Sequence, residues 1–265
     1  MKPRHDIDVI ILGTGTCVPS PKRQPAGIFV RIGDTSLLLD SGSGTLSRMT
    51  KIGIDYRKLS GLCYSHTHPD HVADLVPILQ AMKVSPAPED QPPLLLAGPP
   101  GFRVFLQHLS DAYGTWITEH DRGLDIRELN ADRVTLSDCI IRTVPMNHSR
   151  ASIGFRVESL NGTTVVYSGD TDYCDSLTEL AANASMLIIE CSTPDERKQD
   201  GHLTPSLAAD IAVKAKVNEL VLTHFYAECD DIDIISPCQA IFPGKIRRAY
   251  DLMRLSVSPE GTSDL

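Results

Sequence analysis

The amino-acid sequence predicts an α/β fold in which two mixed β-sheets pack together and helices cover their outer faces. Segments with strand character come before helical segments in the first half of the chain, and the same order recurs in the second half. Two packed sheets with helices outside accommodate that repeated order. The chain has 265 residues without a recognisable linker or low-complexity segment. We therefore expect one domain that spans residues 1–265.

The first half begins with an apolar segment, 8–13 (DVIILG), which is typical of a buried strand that ends in a glycine-rich turn. The apolar spacing of residues 72–84 predicts a helix, and the proline-rich stretch 86–93 predicts a loop. The other elements predicted here are a hairpin formed by 28–32 and 36–39, a helix after the turn 41–44, strands at 62–65 and 94–97, and a helix at 102–113.

The second half contains four apolar segments with strand character before its helices. We expect a further strand between two helices near the end of the chain. The predicted strands are 139–144, 153–158, 164–168, 186–190 and 219–223, and the predicted helices are 205–215 and 245–255.

The composition is that of an ordinary globular protein, with 42% hydrophobic and 22% charged residues. A chain of this length buries a sizeable core without the help of disulfides or structural metals, so we expect any metal to be catalytic rather than structural. The formal net charge of −9 disfavours non-specific binding of nucleic acid, which is largely electrostatic. A small or locally recognised substrate is favoured, although a local basic patch is compatible with this charge.

The seven cysteines are odd in number and include no C-x-x-C pair, which argues against a disulfide framework or a zinc finger. We expect free thiols in a reducing cytoplasm. The apolar stretch 9–12 is too short for a signal sequence. No run approaches the roughly 20 apolar residues of a membrane span, so we expect no membrane association.

The strongest functional signal is the segment HTHPDH at residues 66–71. Residues two apart on an extended chain point to the same side, so His66 and His68 can hold one metal together. Asp70 and His71 project from the start of the next helix towards a second point. Imidazole nitrogen and carboxylate oxygen are typical ligands of zinc, and manganese and iron also accept them. A chance surface cluster is the alternative, which the density of histidine here disfavours.

Three further polar residues each follow an apolar strand, where ligands of a dinuclear site are expected to converge: His148, Asp170 and His224. Taken singly, either histidine is typical of a packed rim residue, and the aspartate is typical of a turn. Their shared position at strand ends, together with the cluster, favours metal ligation.

In this order, HTHPDH, NHS, SGDT and LTH resemble the metallo-β-lactamase superfamily. Four softer motifs resemble its ribonuclease Z-like branch: LGTGTCVPSPKR at the start, LLLDSGSGT, AGPPG and GHLTP. The resemblance implies an αββα sandwich with the site between the sheet edges. It implies one metal on His66, His68 and His148, a second on Asp70, His71 and His224, and Asp170 as the bridge between them. It also implies that His202, in GHLTP, assists catalysis.

The chain departs from the tRNA-processing members of that branch in two places. About 45 residues separate GPPG from NHS, little more than the predicted elements need, so the long arm that grips tRNA is missing. Arg23-Gln24 stands where those enzymes have Arg-Asn. These departures indicate the armless relatives, which include small-molecule phosphodiesterases and arylsulfatase-like proteins, and make tRNA an unexpected partner.

We therefore expect two divalent metals, most simply zinc, that share and acidify a water, whose hydroxide attacks an ester. Asp70 would bind metal and orient that hydroxide, and His202 would protonate the leaving group. Asp40, Thr171 and Ser149 are expected to orient ligands.

The expected substrate is a small-molecule or nucleotide phosphodiester, and we expect a homodimer. The alternatives are an aryl sulfate, lactone or thioester hydrolase, a true tRNA 3′ endoribonuclease, and an inactive binding module. A redox di-iron centre is disfavoured, because such a centre would favour Glu at the position that His68 occupies.

Overall fold

The computed structural model describes residues 6–86 and 91–265, and their strands form two mixed sheets. The first sheet has the order β15-β14-β1-β2-β3-β4-β5-β6 and the second the order β13-β12-β11-β10-β9-β8-β7. The strands are β1 (Ile7–Gly13), β2 (Gly27–Ile32), β3 (Thr35–Ser41), β4 (Gly61–Cys63), β5 (Leu94–Gly98), β6 (Leu124–Glu128), β7 (Arg133–Thr135), β8 (Cys139–Pro145), β9 (Ile153–Ser159), β10 (Thr164–Tyr167), β11 (Met186–Glu190), β12 (Glu219–Thr223), β13 (Lys245–Arg248), β14 (Met253–Ser258) and β15 (Gly261–Asp264).

Helices pack on the outer faces of the two sheets, as the sequence predicts. The helices are α1 (Thr45–Lys51), α2 (Pro69–Val72), α3 (Leu75–Val84), α4 (Phe102–Tyr113), α5 (Asp175–Leu180), α6 (Pro205–Ala215) and α7 (Ile235–Gln239). Buried residues of α1, α3 and α4 share a core with the first sheet, and those of α5 and α6 pack with the second. The predicted αββα arrangement is confirmed.

The alternation of side chains along β1 shows why this strand separates two cores. Ile7, Val9 and Ile11 belong to the core shared by both sheets, whereas Ile10 and Leu12 belong to the core beneath α3 and α4. Successive residues of a strand point to opposite faces, so an apolar run is buried on both sides. The core shared by both sheets agrees with one domain, which stays a prediction.

The predicted helix at 245–255 is wrong: this segment forms β13 and the first half of β14. The apolar residues Ile246, Ala249 and Leu252 are three apart and imitate a helical face. Pairing overrides that pattern, because Ile246 lies opposite Leu220 of β12 and Leu255 opposite Val9 of β1. Leu252, between the two strands, has φ 67°, a left-handed conformation that no helix accommodates.

The other differences are smaller. The helix predicted at 72–84 is two helices, α2 and α3, and α2 starts three residues earlier, at Pro69. Of the predicted loop at 86–93, residues 87–90 lie outside the described ones. The sequence reading missed β6, β7, β15, α5 and α7, which are three to six residues long.

Between the GPPG turn and residue 147 the chain forms only α4, β6, β7, β8 and a short 3-10 turn. No extension leaves the fold there, which agrees with the predicted absence of an arm. Within residues 6–86 and 91–265, no helix combines the length and the apolar character needed to cross a membrane.

The parallel strands of each sheet bring polar residues to one rim. β3 and β4 are parallel neighbours, as are β10, β11 and β12. Asp40 and His66 lie at the carboxyl ends of the first pair, and Asp170, Glu190 and His224 at those of the other three. The carboxyl ends of parallel strands are where ligand sites form in α/β proteins.

Candidate metal centre

The seven residues predicted to hold metal converge at the rim between the sheets. Their potential ligand atoms fall into clusters whose members lie within 4.8 Å of one another. One cluster is formed by His66, His68, His148 and Asp170, and another by Asp70, His71 and His224. These are the two groups that the family resemblance implies.

Asp170 stands between the two groups, with one carboxylate oxygen turned to each. Its Oδ2 lies 3.7 Å from Nε2 of His66 and 3.7 Å from Nε2 of His148. Its Oδ1 lies 3.3 Å from Nε2 of both His71 and His224. A carboxylate so placed can bridge two metal ions.

Asp40 orients two of the histidines from behind, as the sequence predicts for one. Its Oδ2 accepts a hydrogen bond from Nδ1 of His71 at 2.8 Å and from the hydroxyl of Ser65 at 2.7 Å. Since the Ser65 hydroxyl donates to Asp40, it accepts from Nδ1 of His66, 3.0 Å away. Both rings then present Nε2, free of hydrogen, to the cluster.

Glu190 has the corresponding role on the second sheet. Ser192 donates to its Oε2 at 2.6 Å and accepts from Nδ1 of His224 at 3.0 Å. The backbone amides of Thr171 and Leu203 also donate to this carboxylate, at 2.7 and 3.1 Å. Each ligand-bearing sheet therefore has one buried carboxylate and one serine that fix a ring tautomer.

The residues fit a metal, as their unpartnered atoms show. Within the described part of the chain, Nε2 of His66 and Oδ1 of Asp170 are buried and have no hydrogen-bond partner. Such buried polar atoms are costly unless something binds them. Burial lowers the pKa of His66 well below its ordinary value, and burial also lowers the pKa of His68. Both rings are therefore neutral, the form that binds a metal.

His202 lies over the centre, beside ligands of both groups. Its ring centroid is 4.8 Å from that of His148 and 5.8 Å from that of His224. Burial alone would lower the pKa of His202, but Glu190, whose Oε1 lies 3.0 Å from its Nδ1, more than offsets this and raises it. His202 can therefore carry a proton. Asp170, His202 and His224 also form a third group of metal-ligand size.

Two site residues have strained backbones. Asp40 and His224 adopt φ values of 58° and 59°, in the left-handed region that non-glycine residues rarely occupy. At Gly42, the backbone of the HTHPDH segment approaches closely, because a Cβ there would lie 2.1 Å from the carbonyl oxygen of Asp70. The missing side chain of Gly42 thus allows the HTHPDH segment to pack against the end of β3.

Two of the predicted orienting residues have other contacts. The hydroxyl of Ser149 bonds to Ala151 and Ser152 within its own turn. The hydroxyl of Thr171 accepts from the amide of Asn147 at 3.1 Å, so it contacts the backbone preceding His148 rather than a ring. The expectation that they orient ligand rings directly is wrong.

Glu190 was missed at the sequence level, although it carried a signal. It ends the fully buried strand MLIIE, and a carboxylate is almost never fully buried unless it is paired. The same signal, a polar residue that terminates an apolar run, identified Asp170 and His224.

The two mixed sheets and the cluster at their shared rim define the class: an α/β protein with a candidate dinuclear metal centre. Comparisons with known proteins identify the family. The sequence of residues 35–225 matches the family model of the beta-lactamase superfamily domain. A ribonuclease Z of Mycobacterium bovis (strain BCG / Pasteur 1173P2) is 32% identical over 289 residues, which cover 96% of this chain and 99% of that protein.

Two solved structures share the fold. The metallo-β-lactamase fold protein YhfI from Bacillus subtilis has a TM-score of 0.82 at 24% identity, over 96% of this chain and 100% of that one. The short form of human tRNase Z has a TM-score of 0.78 at 24% identity, over 95% and 99% of the two chains. The chain belongs to the metallo-β-lactamase superfamily and, within it, to the ribonuclease Z-like branch.

Proposed function

We propose that this chain is a dinuclear-metal phosphodiesterase that acts on small or nucleotide phosphodiesters. Its family membership makes it a metal-dependent hydrolase of phosphodiester bonds. The observation that carries the dinuclear assignment is the position of Asp170, whose two oxygens face separate histidine groups. In this proposal one metal is held by His66, His68 and His148, the other by Asp70, His71 and His224, and Asp170 holds both.

Two metal ions, when bound, supply an acidified water as nucleophile and neutralise charge that develops on the phosphoryl oxygens. The chain contributes the remaining groups. Asp70, whose Oδ2 lies 3.5 Å from Nε2 of His224, would bind metal beside that ring and would orient the water. His202, beside both candidate ligand groups, would donate the proton that the leaving oxygen needs, and Glu190 orients its ring and raises its pKa.

The substrate class rests on two considerations. The net charge of −9 and the absence of an extension between α4 and β8 support a small substrate rather than tRNA. Relatives named ribonuclease Z support the second candidate function, cleavage of RNA at the tRNA 3′ end. The assignment of zinc, a homodimeric state and a cytoplasmic location stay predictions.

Metal content and turnover, measured on one sample, test the proposal. We expect close to two metals per chain after purification with metal supplied and without chelator. We expect turnover of bis(4-nitrophenyl) phosphate well above that of 4-nitrophenyl sulfate, 4-nitrophenyl phosphate or a lactone.

His66→Ala should lose metal and activity, whereas His108→Ala, at an exposed histidine of α4 outside the clusters, should keep both. One metal per chain, or a preference for the sulfate ester, would refute the proposal.

A further inference from the structure

A groove of about 600 Å³ opens beside the metal centre on the side of His68. Its walls are the GPPG turn, the first turn of α4 and the turn that follows His148. The lining residues are Thr67, His68, Pro99, Pro100, Gly101, Val104, Phe105, Ser149, Arg150 and Ala151. Because His68 belongs to both the groove and the metal cluster, a chemical group bound in the groove would lie next to the proposed reacting centre.

One wall of the groove is the outer end of a column of aromatic rings. Tyr64, which is buried, stacks on Phe102 with centroids 5.5 Å apart, and Phe102 stacks on Phe105 at 6.0 Å. Phe105 is half-buried and faces the groove, beside Val104, which is 58% exposed. A planar ring in the groove would extend the column and cover this apolar surface.

Among the described residues that line the groove, Arg150 is the only one with a charged side chain. It is exposed, and within residues 6–86 and 91–265 no carboxylate lies within ion-pair distance of it. The amides that begin α4 are already occupied, since Glu128 accepts from the backbone of Gly101 and Arg103 at 3.0 and 2.8 Å. Recognition of an anion in the groove therefore falls to the Arg150 guanidinium.

We propose that this groove binds the ester arm that stays on the phosphorus, and that this arm is a nucleotide. Its base would lie against Phe105 and Val104, and a second phosphate would pair with Arg150. The inference rests on the proposed phosphodiesterase function and names its substrate. The arm is the retained one because His202, the proposed general acid, does not line the groove and lies instead beside His148 and His224.

Three substrates with the same 4-nitrophenolate leaving group test the proposal: the methyl ester of 4-nitrophenyl phosphate, thymidine 5′-(4-nitrophenyl phosphate), and the same nucleoside ester with a 3′-phosphate. We expect kcat/KM to rise about tenfold from the methyl to the thymidine arm, the order of one stacked base. The 3′-phosphate should add roughly threefold to fivefold, which is typical of an exposed ion pair.

Two groove variants and one matched control separate these contributions. Arg150→Gln should abolish the gain from the 3′-phosphate and keep the gain from the base. Val104→Asp should reduce the gain from the base at least threefold. The control, Arg142→Gln, removes another exposed arginine, on β8, that does not line the groove, and it should retain both gains. All variants should keep two metals.

Calorimetry with thymidine 3′,5′-bisphosphate measures the groove without turnover, and Arg150→Gln should weaken its binding by the same factor. Equal kcat/KM for the three substrates, or gains that the groove variants leave unchanged, would overturn this inference while the phosphodiesterase function stands. Failure to hydrolyse any diester with two metals bound would refute the proposed function. In that case the calorimetric result would still decide whether the groove binds a nucleotide.

Discussion

The replacement of His202 by alanine should slow the reaction in proportion to how poor the leaving group is. His202 contacts Glu190 directly and lies beside both histidine groups, but it is absent from the two clusters that together contain all seven predicted ligands. It sits in a loop before α6, not at a strand end. We therefore expect His202→Ala to keep both metals and to lose turnover.

The magnitude follows from the role. General acid catalysis contributes about 10²–10⁴-fold, or roughly 2.7–5.4 kcal/mol of the barrier at 1.36 kcal/mol for each factor of ten. An alkoxide leaving group needs the proton and should lose the whole factor. A nitrophenolate departs without help, so kcat for such an ester should fall by less than about tenfold.

The assay compares kcat for an alkyl and a 4-nitrophenyl phosphodiester, with metal content measured on each sample. His202→Gln is the informative second variant, since the amide donates a hydrogen bond but cannot supply a proton. It should be as impaired as His202→Ala on the alkyl ester. Equal losses on both esters, with rescue by glutamine, would refute the general-acid role and indicate stabilisation of the oxyanion. Loss of metal would make His202 a ligand, in the third group that contains Asp170 and His224.

Three further predictions follow from the same geometry. Asp170→Ala should weaken binding of both metals and abolish activity, because each carboxylate oxygen faces one group; two retained metals by elemental analysis, with near-normal turnover, would contradict the bridging assignment. Asp40→Ala should lower metal affinity about 10–100-fold in a chelator competition, because it frees the ring of His71 and the hydroxyl of Ser65, which orients His66. Unchanged affinity would show that packing alone orients these rings. Finally, tRNA should bind with a dissociation constant above about 1 μM at physiological salt; submicromolar affinity with cleavage of the 3′ trailer in a gel assay would restore the tRNA-processing alternative.

The convergence of the seven candidate ligands could be predicted from the sequence, because each of them follows an apolar strand or belongs to the HTHPDH segment. Asp170 and His224 follow fully buried strands, and His148 follows β8, which is buried on alternate residues; such strands end where a sheet meets solvent. Asp40 was singled out from its place in LLLDSGSGT, and its contact with the ring of His71 agrees with the predicted orienting role. Glu190 carried the same signal and was overlooked, although its carboxylate contacts His202 and the serine behind His224.

Other features were decided only by the tertiary structure. The segment 245–255 has apolar residues three apart, yet it pairs as strands with β12 and β1, because hydrogen bonds and a buried face supplied by distant segments outweigh a local period. The groove between α4 and the turn after His148 joins residues some 50 positions apart, and no local pattern marks it. The sequence by itself determined which residues can bind metal and roughly where the strands run, since both depend on residue type and local spacing. The division of the ligands into two groups about Asp170, and the surface beside them, depend on how two separate sheets meet.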